Sequence, residues 1–488
     1  MKKYIIAFSL ATMVGFSLTS CSEEFIATDF GNSEQAEQIT SVEKLQSFVT
    51  GAYGSMRDVN YYGAYYQLFG EIRSDEMFSR RAAGYFTSYA NLSMTSTDAY
   101  ATGPYGVIYG VVTKANIVLN SPDNLTWSQT LNQATITDKV NKIKGEAYAV
   151  RALAFFDLLR LYGQQYSNGT KGIVIPTKYD PKANMARASV AETQAQIESD
   201  FAKSIALLED NQFNNTANRT ELNILSVKAL MSRYYLYKQD YAKVRQYVND
   251  IVAEGVYSVA AKDSYVISWT LNNASTNSLF ELSVGTANAY GAAGLNAMMN
   301  FSGAYKNVAV LPTTYNLFST SDVRRSAATF DVSGGYRFIK QKYADTSGAD
   351  NIKLVRYEEV LLNGIEAELN GGSVTKAQAY WELILKNRLS DVVDANGNIT
   401  SSVAQQIAAL GPINDTKLKT ERRKELLGEG FRMWDLLRWG QSVPVYNSTG
   451  GGLTATLNIG DTRLAFPIPQ SETNVSGTLV TSNPGYDN

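Results

Sequence analysis

The stretch TELNILSVKALMSRYYLYKQDYAKVRQYVNDIVAE, Thr220–Glu254, decides the fold class. Leu225, Ala229, Tyr234 and Leu236 recur at helical spacing before the polar turn Lys238-Gln239-Asp240. Val244, Tyr247, Val248, Ile251 and Val252 do the same after it. The spacing predicts two antiparallel helices, Glu221–Tyr237 and Tyr241–Glu254. Such a pair cannot bury both of its apolar faces alone, so at least three pairs must stack into a curved scaffold.

The unit has the ~34-residue period of a tetratricopeptide repeat, and looser versions of it flank it. Thr40 reads as the N-cap of a first helix, with Glu43 completing a capping box and Leu45, Phe48, Val49 and Ala52 following at helical spacing. Further helices are predicted over Tyr105–Asn120, over Asp138–Tyr162 (closed by Gly163), and over 191–208. Gly172–Pro176 crosses between them as an extended run. From Ala260 to about Asn351 the period fades into Gly, Asn, Ser and Tyr with short β pieces such as Leu279–Val284. Long irregular stretches of this kind are more often functional than idle. Regular helices resume at Ile352–Leu369, Lys376–Asn387 and Thr420–Gly440, before a turn-rich tail. The expected fold is therefore mainly α: a tetratricopeptide-like helical-hairpin scaffold with large irregular excursions and short β pieces. Its N-terminal region covers 40–220 and its C-terminal region 221–488.

Composition narrows the function. The 488 residues, 44% hydrophobic and 18% charged, describe a globular chain with a net charge of −2 and no basic block that would suit nucleic acid. Histidine is absent, which removes the commonest general base and the usual catalytic zinc ligands. A carboxylate-only enzyme stays open, as does binding. With one cysteine there can be no internal disulfide. Tyrosine is abundant, 31 residues against 5 tryptophans, and its flat face and hydroxyl suit recognition surfaces as well as cores.

The cysteine is Cys21. It follows Lys2, Lys3 and an apolar run, Tyr4–Leu18, too short to span a bilayer, in the order of a secretory signal peptide. Leu18-Thr19-Ser20-Cys21 resembles a bacterial lipobox, which implies a signal peptide over 1–20, lipidation of Cys21, and a polar tether over 21–39. Acyl chains on one cysteine anchor firmly, at ~0.8 kcal/mol per buried CH₂. Glu23-Glu24 resembles a short export tag for the cell surface.

ERRKELLGEGFRMWDLLRWG, Glu421–Gly440, resembles the signature helix of the SusD/RagB outer-membrane lipoproteins. Three more matches keep the family's order: Arg151-Ala152 through Leu158–Gly163 to Pro176; Leu354–Leu362; and Phe466–Pro469 with Glu472 and Asn483–Tyr486. With the lipobox these make five. Within the signature, Leu427, Phe431, Trp434 and Arg438 share one helical stripe. Arg422/Glu425 and Arg432/Asp435 read as i,i+3 pairs worth a few tenths of a kcal/mol on an exposed face. Gly430 marks a kink or close packing. Its carboxylates Glu421, Glu425, Glu429 and Asp435 are expected to lock the helix to the scaffold, not to catalyse.

The resemblance implies a surface lipoprotein, facing outward from a bacterial outer membrane, that captures an oligosaccharide or peptide without altering it. Its partner would be a SusC/RagA-type TonB-dependent transporter. No cofactor is implied, and a structural calcium stays open. The ligand candidates are Tyr61, Tyr62, Tyr65, Tyr66, Asp75, Arg80, Arg81, Tyr85 and Tyr89, with a second patch of Trp269, Tyr290 and Tyr305. The first loop lacks tryptophan, which weakens a stacking platform for a long glucan, and its tyrosine pairs, with two arginines, could equally serve an acidic glycan or a peptide. A carboxylate-based glycoside hydrolase and a purely structural scaffold are the alternatives.

Overall fold

The computed structural model describes residues 39–180 and 182–486. The expected signal peptide, the lipidated Cys21 and the tether up to residue 38 lie outside the described residues. The α-helices of about two turns or more are α1 (Val42–Met56), α2 (Tyr65–Ile72), α3 (Ala99–Leu119), α4 (Gln133–Tyr162), α5 (Val190–Leu208), α6 (Ile224–Tyr237) and α7 (Tyr241–Ala253). After a long excursion come α8 (Tyr357–Leu369), α9 (Val374–Lys386), α10 (Val403–Leu410), α11 (Asp415–Leu426), α12 (Arg432–Arg438) and α13 (Gln470–Ser476). From α3 to α9 each helix packs on its successor, and α1 lies on α3 and α4. The fold is thus the expected helical-hairpin array. One continuous apolar cluster runs from Ala52 to Val480, so the N- and C-terminal regions share a core. Among the described residues no helix is long and apolar enough to cross a membrane.

Caps explain most boundaries and correct several expectations. Asn223 starts α6, its side chain accepting from the N–H groups of Leu225 and Ser226 while the Ser226 hydroxyl accepts from the Asn223 N–H. Ser41, not Thr40, caps α1 by accepting from the Lys44 N–H, and the Glu43 carboxylate accepts from Ser128 instead of closing a box. Asp98 starts α3 well before the expected Tyr105, and Asn132 starts α4 before Asp138.

Two corrections are larger. Ile352–Arg356 is a fully buried strand, β6, paired antiparallel with β2 (Ser278–Leu282); the helix begins only at Tyr357. A short apolar run buried on both faces carries no period that separates strand from helix. The expected Thr420–Gly440 helix is two helices. Gly428 and Gly430 take left-handed φ of 79° and 84° and break it between α11 and α12.

The excursion is more regular than its composition suggests. Its strands β3 (Val308–Val310), β4 (Phe330–Ser333) and β5 (Tyr336–Ile339) join β1 (Met77–Ser79) in an antiparallel sheet ordered β1-β3-β5-β4. The register pairs Met77 with Val310 and Ser79 with Val308. Strand pairing across more than 200 residues therefore ties the segment after Ser79 to the segment before Val308.

Candidate functional site

That register sets two loops side by side, residues 80–86 and 305–307, with Asn307 as the pin. Its backbone carbonyl accepts from the Arg80 N–H at 2.7 Å. Its buried side-chain oxygen accepts from the Ser79 hydroxyl (3.2 Å) and the Ala82 N–H (2.9 Å), and its amide donates to the Tyr85 carbonyl (3.1 Å). The pinned backbone is strained. Arg81, Ala83, Phe86 and Lys306 hold φ of 56°, 52°, 56° and 47°, a region costing a non-glycine residue ~1–2 kcal/mol. Such strain gathers where a function over-determines the backbone.

The product is a pair of half-exposed tyrosines. The rings of Tyr85 and Tyr305 lie 4.6 Å apart at 52°, beside exposed Ala83, Gly84 and Ala304. A hydrogen bond with Tyr305 pushes the Tyr85 hydroxyl up to about 12, so Tyr85 stays neutral at physiological pH. Tyr65 supports the loop from beneath, against Phe86 at 5.2 Å and Tyr100 at 5.2 Å. The Phe86 N–H donates to the Tyr100 hydroxyl at 2.7 Å. Arg80 lies over the Tyr336 ring at 4.3 Å and donates to the Lys306 carbonyl at 3.0 Å. Arg81 is fastened to Asn91 and to the carbonyls of Ser79, Ala90 and Tyr446. Flat apolar rings edged by hydroxyls and cations can hold a sugar ring by its C–H face and its substituents.

The other expected ligand residues sit elsewhere. Tyr61, Tyr62 and Tyr66 are buried, and all three hydroxyls donate to the carboxylate of Asp157, Tyr66 at 2.8 Å. Arg160 supplies the charge partner at 2.5 Å. They form a polar knot inside the scaffold, because a buried carboxylate needs several donors. Tyr89 is buried too, its hydroxyl on the Phe69 carbonyl and its ring under Arg73 at 3.8 Å. Asp75 is clamped by Arg432 at 2.6 and 3.0 Å. The second patch does not form. Trp269 is buried beneath Lys342 and Arg356, and Tyr290 donates its hydroxyl to the Arg57 carbonyl, while Tyr305 joins Tyr85. Lys306, Asn307 and Tyr336 belong to the site but went unread in the sequence. Their loop and strand carry no local signal of meeting residues 80–86.

The signature carboxylates are consumed by cations, as expected, but in the interior and not on an exposed face. Glu425 binds Arg324, Arg356 and Arg388, and Glu429 binds Lys342 and Arg356. Arg422 pairs with Asp435 across the helix break, not with Glu425, and Arg432 turns to Asp75. Although burial opposes ionisation, Arg324 and Lys424 hold Glu421 down at about 2. Among the described residues no three His, Cys, Asp or Glu side chains gather as a metal site would.

Glu71, at the end of α2, behaves oppositely. One of its oxygens accepts from the Gly430 N–H at 2.7 Å; the other is buried without a partner. Burial pushes its carboxyl up to about 7. Folding therefore favours the protonated form. The resulting stability is full below the ordinary carboxylate range and is lost as pH rises to about 7. Glu71→Gln should flatten this: between pH 4.5 and 8, urea unfolding should show wild type losing up to ~3 kcal/mol relative to the variant.

Two family models match the chain. One, described as "Starch-binding associating with outer membrane", covers residues 29–236; the other, the SusD family, covers 336–486. No curated protein sequence matches. Among solved structures, a sugar-binding protein from Bacteroides vulgatus ATCC 8482, named as putative, superposes with a TM-score of 0.78 at 24% identity, over 92% of this chain and 99% of that one. A SusD superfamily protein from Bacteroides thetaiotaomicron VPI-5482 gives 0.76 at 24% identity, over 91% and 100%. Surface glycan-binding protein A from Bacteroides fluxus gives 0.66 at 19%, over 90% and 99%. The helical-hairpin array, the signature broken at two glycines, and both family matches lead to one assignment: the chain belongs to the SusD/RagB family.

Proposed function

We propose that this protein captures an oligosaccharide on the Tyr85/Tyr305 platform and holds it without cleaving it. The observation that carries this reading is the strained, Asn307-pinned loop that holds two tyrosine rings half-exposed on the surface. Structurally similar proteins named as sugar- and glycan-binding agree with it. Binding without catalysis is supported by the fate of the signature carboxylates, each tied to arginine or lysine and held ionised. In the same reading, lipid on Cys21 anchors the protein to the outer membrane, where it faces the exterior and passes its ligand to a TonB-dependent transporter. The description of the matching family, which includes association with the outer membrane, supports that placement.

The test is calorimetry of the chain lacking residues 1–21 against an oligosaccharide panel, with each ligand recovered and weighed by mass spectrometry. Tyr85→Ala should weaken the bound glycan about tenfold or more while leaving the unfolding midpoint nearly unchanged, because the ring it removes is half-exposed. Unchanged affinity would place the ligand elsewhere, and a cleaved ligand would end the binding-without-catalysis reading.

A further inference from the structure

Three cations border the platform: Arg80, Arg81 and Lys306. None forms an ion pair with a carboxylate among the described residues. Arg80 is half-buried, rests on the Tyr336 ring and gives one side-chain hydrogen bond, to the Lys306 carbonyl. The Lys306 ammonium donates to the Gly303 carbonyl at 2.9 Å and keeps further donors free. Arg81 is spent on neutral acceptors, so its charge is fixed in place but not cancelled.

Fold stability alone does not account for this arrangement. Adjacent arginines followed across the loop contact by a lysine repel one another, and the strained φ angles of Arg81 and Lys306 add to the cost. In the interior the same chain answers such charge with carboxylates, as Glu425 does for three arginines. Two acids stand near the aromatic support of the platform and neither pairs with these cations: Asp58, beside Tyr65 and Tyr290, accepts from the Asn60 N–H and amide, and Asp98, beside Tyr100, accepts from the Tyr100 N–H. The platform is therefore polarised, with cations at the Arg80/Lys306 end.

We infer that the ligand is an anionic glycan, whose carboxylate or sulfate groups meet Arg80 and Lys306 while a neighbouring sugar ring lies on Tyr85 and Tyr305. This rests on the carbohydrate reading above and adds the charge. Guanidinium groups bind planar carboxylates and tetrahedral sulfates alike through paired N–H donors, so the shared chemistry is the anion.

The experiment is an oligosaccharide array containing uronic-acid glycans, the same glycans after carboxyl reduction, sulfated glycans and their desulfated forms. Binding at least tenfold tighter to an acidic member than to its neutral counterpart is the expected result, with affinity falling as salt rises. The uronate and sulfate arms tell which anion is read. The double variant Arg80→Gln/Lys306→Gln should erase that preference, and Arg80→Lys/Lys306→Arg should keep most of it. Equal binding of acidic and neutral counterparts would overturn the inference and leave the carbohydrate reading standing. Loss of preference in the charge-keeping variant as well as in the neutral one would also overturn it. No glycan bound, together with no effect of Tyr85→Ala on any ligand, would overturn both.

Discussion

Glu425→Ala is expected to destabilise the protein by ~3–5 kcal/mol, the cost of leaving buried charge unpaired. Glu425 is fully buried and its two oxygens hold Arg324 at 2.9 Å, Arg356 at 3.0 Å and Arg388 at 2.9 and 3.0 Å. Arg356 also reaches Glu358 and Glu429, and Arg388 also reaches Glu358, so both of these guanidinium groups keep a partial partner. Arg324 keeps Asp322 and Glu421. The loss is therefore spread over a network and stays within that range in spite of three severed contacts. Glu425→Gln keeps the volume and some hydrogen bonds, and should lie between alanine and wild type. Breaking the exposed Lys386–Glu382 pair, where the lysine side chain is 61% exposed, should change stability by no more than ~0.5 kcal/mol. Urea unfolding of the three variants checks the order.

The contrast shows what local sequence can carry. The 421–440 stretch displays charges at i,i+3 spacing, and spacing alone assigns each to its nearest opposite. The true partners, Arg324, Arg356 and Arg388, come from the excursion, from β6 and from the end of α9. No local period reveals them. Helical hairpins were readable because their signal is local: apolar recurrence every three to four residues and a cap at each start. One of the two larger failures, Ile352–Arg356, lies where an apolar run is buried on all sides and either period fits. The candidate site divides the same way. Tyr85, Arg80 and Arg81 stood out by residue type, but so did Tyr61, Tyr62 and Tyr66, which serve Asp157 in the interior. Burial separates them, and burial follows from which distant segment packs on top. For Tyr85 that segment is the loop of Tyr305, brought across by β1–β3 pairing.

Gly430→Ala should be at least as damaging as a typical core truncation, ~3 kcal/mol or more, and for two separable reasons. Gly430 holds φ of 84°, which a side chain adopts at a cost of ~1–2 kcal/mol. A Cβ there would also stand 2.6 Å from the Cα of Gln67 in α2, a backbone atom that cannot rotate away. The opposing residue is glycine for the same reason: a Cβ on Gly70 would meet the Gly430 carbonyl oxygen at 2.1 Å. Two glycines thus let α2, in the N-terminal half, touch the turn between α11 and α12 backbone to backbone, and Glu71 caps that contact through the Gly430 N–H. Gly84→Ala is the control for the first reason, since Gly84 has φ of 80° with nothing near its missing Cβ. It should cost only the conformational part. If Gly430→Ala and Gly84→Ala destabilise equally in urea, the close approach contributes nothing. If Gly430→Ala is worse by ~1–3 kcal/mol, the range of an overpacked contact, the glycine pair is what lets the two halves of the chain close on one core.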